Sequence, residues 1–123
     1  MSISDNVALA KRNIALAAER AGRRAEDIYL VGATKMNDAA RVREAIAAGL
    51  PICGENRVQE LVQKNAEHAY DGAALHFIGH LQKNKVKHVV GTASLIHSVD
   101  SLELMDCIGR TAEARGLTQD LLL

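Results

Sequence analysis

Ile28-Tyr29-Leu30-Val31-Gly32-Ala33-Thr34-Lys35 is the stretch that decides the fold. From Ile28 to Ala33 the run is apolar without alternation, as in a strand buried on both faces of a parallel sheet. Thr34 and Lys35 end it abruptly. Upstream, Val7 to Ala21 is expected to be a helix, because Ser4 can cap it, its body is rich in alanine, and Gly22 lies just past its end. Arg23 to Asp27 is a short polar connector.

Downstream the unit repeats. Asp38 caps a helix with Val42, Ala45, Ile46 and Leu50 in helical register, Gly49 stops it, and Pro51-Ile52-Cys53 is a short strand followed by Gly54-Glu55-Asn56. A helix from about Val58 to His68 leads through Tyr70-Asp71-Gly72 to the strand Leu75–Ile78 and its exit Gly79-His80. Another helix, from Asn84 to Val90, breaks at Gly91 before the strand Leu95–Val99. Leu102, Met105, Ile108 and Ala112 then mark an amphipathic helix closed by Gly116, and Leu121-Leu122-Leu123 begins a fifth strand.

Strand exits at Lys35, Asn56, His80 and Ser98 recur at roughly 20-residue intervals, the period of βα units and a parallel sheet. Periodicity alone leaves a closed barrel and an open sheet both available. No Ser/Gly/Pro-rich linker interrupts the pattern, so residues 1–123 are expected to be one domain without an internal boundary. The chain stops inside an apolar run, and an eight-stranded barrel has about 250 residues, so in a barrel it would be about half.

Composition narrows the function classes. Hydrophobic residues make up 48% of the 123, enough for one packed core. Fifteen Lys+Arg balance fifteen Asp+Glu, and Tyr29, Tyr70 and Phe77 are the only aromatic residues, so neither a basic nucleic-acid surface nor a base-stacking platform is expected. No apolar segment is long enough for a bilayer, and Met1 to Arg12 has no apolar signal-peptide region, which points to the cytoplasm. Cys53 and Cys107 lack disulfide or CxxC spacing and read as free thiols.

In parallel α/β folds the polar residues at the carboxyl ends of the strands gather on one side. Here these are Thr34-Lys35, Glu55-Asn56, His80-Leu81-Gln82 and His97-Ser98. A lysine ending a buried strand is unusual and is suited to imine chemistry if desolvation leaves its amine neutral; the bland alternative is a lysine snorkelling to the surface. Glu55 and Asn56 are expected to cap the helix that follows. A metal role for His76 and His80 is not expected, since four-residue spacing aligns ligands on a helix and not at a strand exit. His97 reads as a packed or hydrogen-bonded histidine. Lys83, Lys85, Lys87 and His88 form a solvated helix face.

Four motifs, in order and spacing, resemble the pyridoxal-phosphate homeostasis proteins, the YggS/PROSC group: Val31-Gly32-Ala33-Thr34-Lys35; Gly54-Glu55-Asn56-Arg57-Val58-Gln59-Glu60; His76-Phe77-Ile78-Gly79-His80-Leu81-Gln82-Lys83-Asn84-Lys85; and Ile96-His97-Ser98-Val99-Asp100. The resemblance covers nearly the whole chain. It implies the N-terminal half of a (β/α)8 TIM-type barrel like that of alanine racemase. It further implies pyridoxal 5′-phosphate (PLP) as cofactor, held as a Schiff base on Lys35, with Asn56 on the cofactor's side of the barrel mouth. The implied role is vitamin B6 homeostasis by a carrier or regulator without catalytic turnover, with amino acids as further partners. Alternatives are a PLP enzyme of the racemase type and a half-barrel scaffold that self-associates through open sheet edges. The chain departs from the family at Met36-Asn37-Asp38, where a second basic residue or a proline is common, and at Leu75, where an aromatic residue is common. The groups cradling the phosphate belong, in the family, to later strands.

Overall fold

Ser2, not Ser4, starts the first helix. Its hydroxyl accepts from the Asp5 N–H while the Asp5 carboxylate accepts from the Ser2 N–H, and this reciprocal cap sets α1 at Ile3–Arg20. The computed structural model describes residues 1–123. After α1 come β1 (Val31–Ala33), α2 (Ala39–Ala47), β2 (Ile52–Glu55), α3 (Val58–Ala66), β3 (Ala74–Phe77), the single turn α4 (Val86–Val89), β4 (Leu95–Ile96), α5 (Leu102–Ala114) and β5 (Asp120–Leu121). No helix is long and apolar enough to cross a membrane.

The five strands are all parallel and lie in the order β1-β2-β3-β4-β5. A doubly wound sheet reverses its strand order at a switch point; this sheet never does, so it is wound as half of a (β/α)8 barrel. Right-handed crossovers that all run one way put every helix on one face. On that face a cluster of 19 buried residues joins Cys53, Leu75, Phe77 and Ile96 of the strands to Val42, Leu61, Val86, Leu104 and Ile108 of the helices.

Several elements are shorter than the sequence suggests. The expected strand from Ile28 pairs only from Val31, where its register meets Ile52, because Pro51 has no N–H to continue the ladder. With β2 as its one neighbour, β1 is not doubly buried, and Tyr29 is 80% exposed. The segment expected as a helix from Asn84 to Val90 divides into a 3₁₀ turn, Lys83–Lys85, and α4. The strand expected over Leu95–Val99 is a two-residue ladder. Asp38 caps α2 as expected, accepting from the Arg41 N–H at 2.9 Å. Gly49, at φ +106°, ends that helix region in a conformation that suits glycine.

Candidate functional site at the strand carboxyl ends

The parallel register carries the strand exits to one end of the sheet. Beyond the strands the ladder continues through Thr34 N–H to Gly54 O, Ile78 N–H to Glu55 O and His97 N–H to Phe77 O, each 2.9 Å. Val31 pairs with Ile52 and Ala33 with Gly54, so Lys35 and Asn56 each stand two residues past a paired position, at the same end of the sheet. Strand alternation turns Ala33 and Gly54 away from the helices, and Lys35 follows in the Thr34–Asn37 turn. The two residues expected to meet a cofactor are thus brought to one end of the sheet.

Lys35 is exposed, and its ammonium makes no hydrogen bond or ion pair, so the burial expected of it is absent in this chain. Its backbone is held tightly. Asn37 N–H donates to Thr34 O at 3.2 Å, closing a turn whose third residue, Met36, has φ +62°. That position ordinarily takes glycine or asparagine, and a left-handed methionine costs about 1–2 kcal/mol. The Met36 N–H donates to the Glu60 carboxylate at 3.1 Å.

Asn56 is wedged against the β3 exit. A Cβ at Gly79 would lie 2.2 Å from Asn56 O, so this approach demands glycine. Asn56 Oδ1 is buried without a hydrogen-bond partner. Ser98 Oγ donates to Gly79 O and ties the β4 exit to the same point. Asn56 also borders a cleft of about 290 Å³ with Arg57, Gln59, His80, Gln82 and Lys85 on its walls.

Neither Glu55 nor Asn56 caps α3, contrary to the sequence expectation. The N-cap is Arg57, without a side-chain cap bond. Glu55 points instead into the helix-side core with no exposure, and its Oε2 accepts from Tyr70 OH at 2.6 Å, Thr34 Oγ1 at 2.8 Å and Lys64 Nζ at 2.9 Å. Lys64 also donates to Thr34 O at 2.8 Å and Glu60 Oε2 at 3.1 Å. Burial, reinforced by the hydrogen bond to Glu55, pushes the Tyr70 hydroxyl pKa far up and keeps it a neutral donor. Burial, then the charge of Glu55, pushes the Cys53 thiol up to about 11. Burial works to raise the Glu60 pKa, but the Met36 N–H and Lys64 outweigh it and hold the carboxyl below its ordinary range.

Sequence reading passed over Lys64, Glu60 and Tyr70. One signal was present: Lys64 follows Leu61 by three residues, on the buried side of α3. On the opposite face of the sheet, His76 Nδ1 and His97 Nε2 share a hydrogen bond of 2.9 Å. His97 is thus hydrogen-bonded as expected, and the partner of His76 is His97, not His80.

No family model matches the chain. A pyridoxal phosphate homeostasis protein of Aquifex aeolicus is 38% identical over 123 residues, all of this chain and 54% of that protein. Its counterpart in Pseudomonas aeruginosa is 41% identical over 103 residues, 84% of this chain and 45% of that protein. Among solved structures, an unknown protein from Bifidobacterium adolescentis aligns with a TM-score of 0.85 and 38% identity over 98% of this chain and 53% of that one. PipY of Synechococcus elongatus, solved with PLP bound, aligns with a TM-score of 0.76 and 39% identity over 89% of this chain and 53% of that one. The chain spans about half the length of the relatives it matches. With its motifs in register and its strands wound as theirs are, the chain is similar, over most or all of its length, to about half the length of the pyridoxal phosphate homeostasis proteins it matches.

Proposed function

We propose that this chain is a PLP-binding domain over residues 1–123, with Lys35 the covalent anchor and Asn56 a contact to the cofactor, serving vitamin B6 homeostasis and not catalytic turnover. The observation that carries the reading is the end of the sheet they share: the free ammonium of Lys35 and the unbonded oxygen of Asn56 each stand two residues past the paired Ala33 and Gly54. PLP supplies an aldehyde carbon with which a lysine amine condenses, with loss of water. Lys35 offers an amine at this end of the sheet from a turn closed by the Asn37 N–H on Thr34 O. The Asn56 oxygen accepts from a ligand hydroxyl or protonated nitrogen, which satisfies an atom that the fold leaves without a partner.

The carrier reading is favoured over a racemase-type enzyme by the state of the two tyrosines. Tyr70 is buried and bonded to Glu55, and Tyr29 is exposed at the approach to β1, away from the strand exits. Neither offers a base at the site.

Borohydride reduction of the PLP-loaded chain, followed by peptide mapping, tests the anchor. The label is expected on Lys35 and lost in Lys35→Ala. Label on Lys83 or Lys85 with none on Lys35 overturns the assignment. Asn56→Ala should weaken PLP binding or shift its absorption without lowering the melting temperature.

A further inference from the structure

Lys64 sits on the helix-covered side of the sheet and reaches the peptide that carries Lys35. Its Nζ has three protons and meets three acceptors: Thr34 O at 2.8 Å, Glu55 Oε2 at 2.9 Å and Glu60 Oε2 at 3.1 Å. Its side chain is 8% exposed, and a lysine is buried to this extent only when fully paired. The three acceptors converge on the turn at Lys35. Thr34 O precedes Lys35, and Glu60 accepts from the Met36 N–H that follows it. Glu55 holds the Thr34 hydroxyl at 2.8 Å. Both flanks of Lys35 are thus tied to one ammonium, directly through Thr34 and through Glu60 on the Met36 side.

The turn needs such a tie. Met36 stands at φ +62°, where a methionine relaxes toward negative φ unless its neighbours prevent it. That relaxation would rotate the Lys35 side chain off the face turned away from the helices. The exposed Lys35 side chain makes no hydrogen bond or ion pair of its own to resist it.

We propose that Lys64 is a positioning residue for Lys35: held between Glu55 and Glu60, its ammonium locks the Thr34–Asn37 turn so that the Lys35 amine stays on the side of the sheet turned away from the helices. The proposal rests on the assignment of Lys35 as the PLP anchor. Arginine cannot replace Lys64, because a planar fork does not aim three protons at diverging acceptors around one nitrogen.

Two quantities test it on the whole chain: the PLP concentration for half-maximal borohydride-stable labelling of Lys35, and the exchange rate of the Met36 amide by NMR. In Lys64→Met, labelling weakens about tenfold, the equivalent of one hydrogen bond of about 1.4 kcal/mol. It weakens equally for PLP and for pyridoxal, because Lys64 acts on the lysine's backbone and not on the phosphate. The Met36 amide exchanges faster, although Lys64 does not touch it. Glu60→Ala has the same effects, and Glu60→Gln, which keeps an acceptor for Met36, restores most of the labelling. Should Lys64→Met fail to fold, Lys64→Arg decides the question, since it keeps a cation between Glu55 and Glu60 but cannot meet all three acceptors from one nitrogen, and labelling of Lys35 should still weaken. Folded variants with a lower melting temperature but unchanged Lys35 labelling overturn the proposal alone. Wild-type labelling that misses Lys35 overturns the PLP assignment and this proposal together.

Discussion

On the helix-covered face of the sheet, Glu55 takes hydrogen bonds of 2.6, 2.8 and 2.9 Å from Tyr70, Thr34 and Lys64 on one oxygen, its other oxygen being buried without a partner. At the strand exits Lys35 has no partner for its ammonium, and Asn56 has none for its amide oxygen. The two lysines show the contrast best, since Lys64 is nearly buried and spends all its protons on the fold while Lys35 spends none. Burial explains the difference. A charge removed from water is held by pairing, as the three acceptors of Lys64 show, whereas a side chain at an open strand end is left unpaired and within reach of a ligand. The covered face therefore builds and aims the site, and the strand exits carry it.

Phe77→Ala probes the covered face where the effect should be largest. Phe77 has no exposure, and truncation should cost about 3–5 kcal/mol of unfolding free energy in urea titrations. Ala74→Ser, one strand residue from Leu75 on the other face and exposed, should stay within about 0.5 kcal/mol. Similar losses for the two would break the comparison.

Tyr70→Phe sharpens it for polar groups. The variant keeps the ring and removes one donor from a buried carboxylate, so a loss of about 1.5–3 kcal/mol is expected by the same titration. A change within error would mean that Glu55 does not depend on its bond to Tyr70.

The smallest effect concerns pH. Burial, then the neighbouring His97, lowers the His76 pKa below its ordinary 6.5. A depressed folded pKa means that the unfolded chain binds the proton first, so the contribution of His76 is complete above 6.5 and declines as the pH falls toward the folded value. Glu60 follows the same sign in a lower window, complete above 4.5 and lost as its depressed pKa is crossed. Urea midpoints measured from about pH 7 to about pH 5 should fall in the wild type and flatten in His76→Gln. An unaltered slope in the variant would remove His76 from the account.

Much of the scaffold was legible in advance because it is local. Asp38 before α2, Gly49 after it and the apolar spacing of Met105, Ile108 and Ala112 in α5 each act within a turn or two of chain, although Leu102, read into the same stripe, is exposed and Leu104 is buried instead. Lys35 could be singled out because a parallel sheet sends every strand exit to one end, whereas Asn56 was marked by the family resemblance alone, its position by itself reading as a helix cap. Glu55 was misread as a cap for the complementary reason. Its position after Gly54 fits a helix start, and whether it faces the helix N–H groups or the core depends on strand alternation within β2.

Amino-acid order by itself determined the alternation of strands and helices, the family resemblance, and which residues stand at the strand ends, since periodicity, caps and motif spacing are written along the chain. Only the tertiary structure decided what Glu55 bonds to, because Lys64, Tyr70 and Thr34 lie 9, 15 and 21 residues away from it. Contacts across such separations are set by how α3 packs on β2 and how β1 pairs with it. No local pattern encodes which of a helix's charged residues will be turned into the core to meet them.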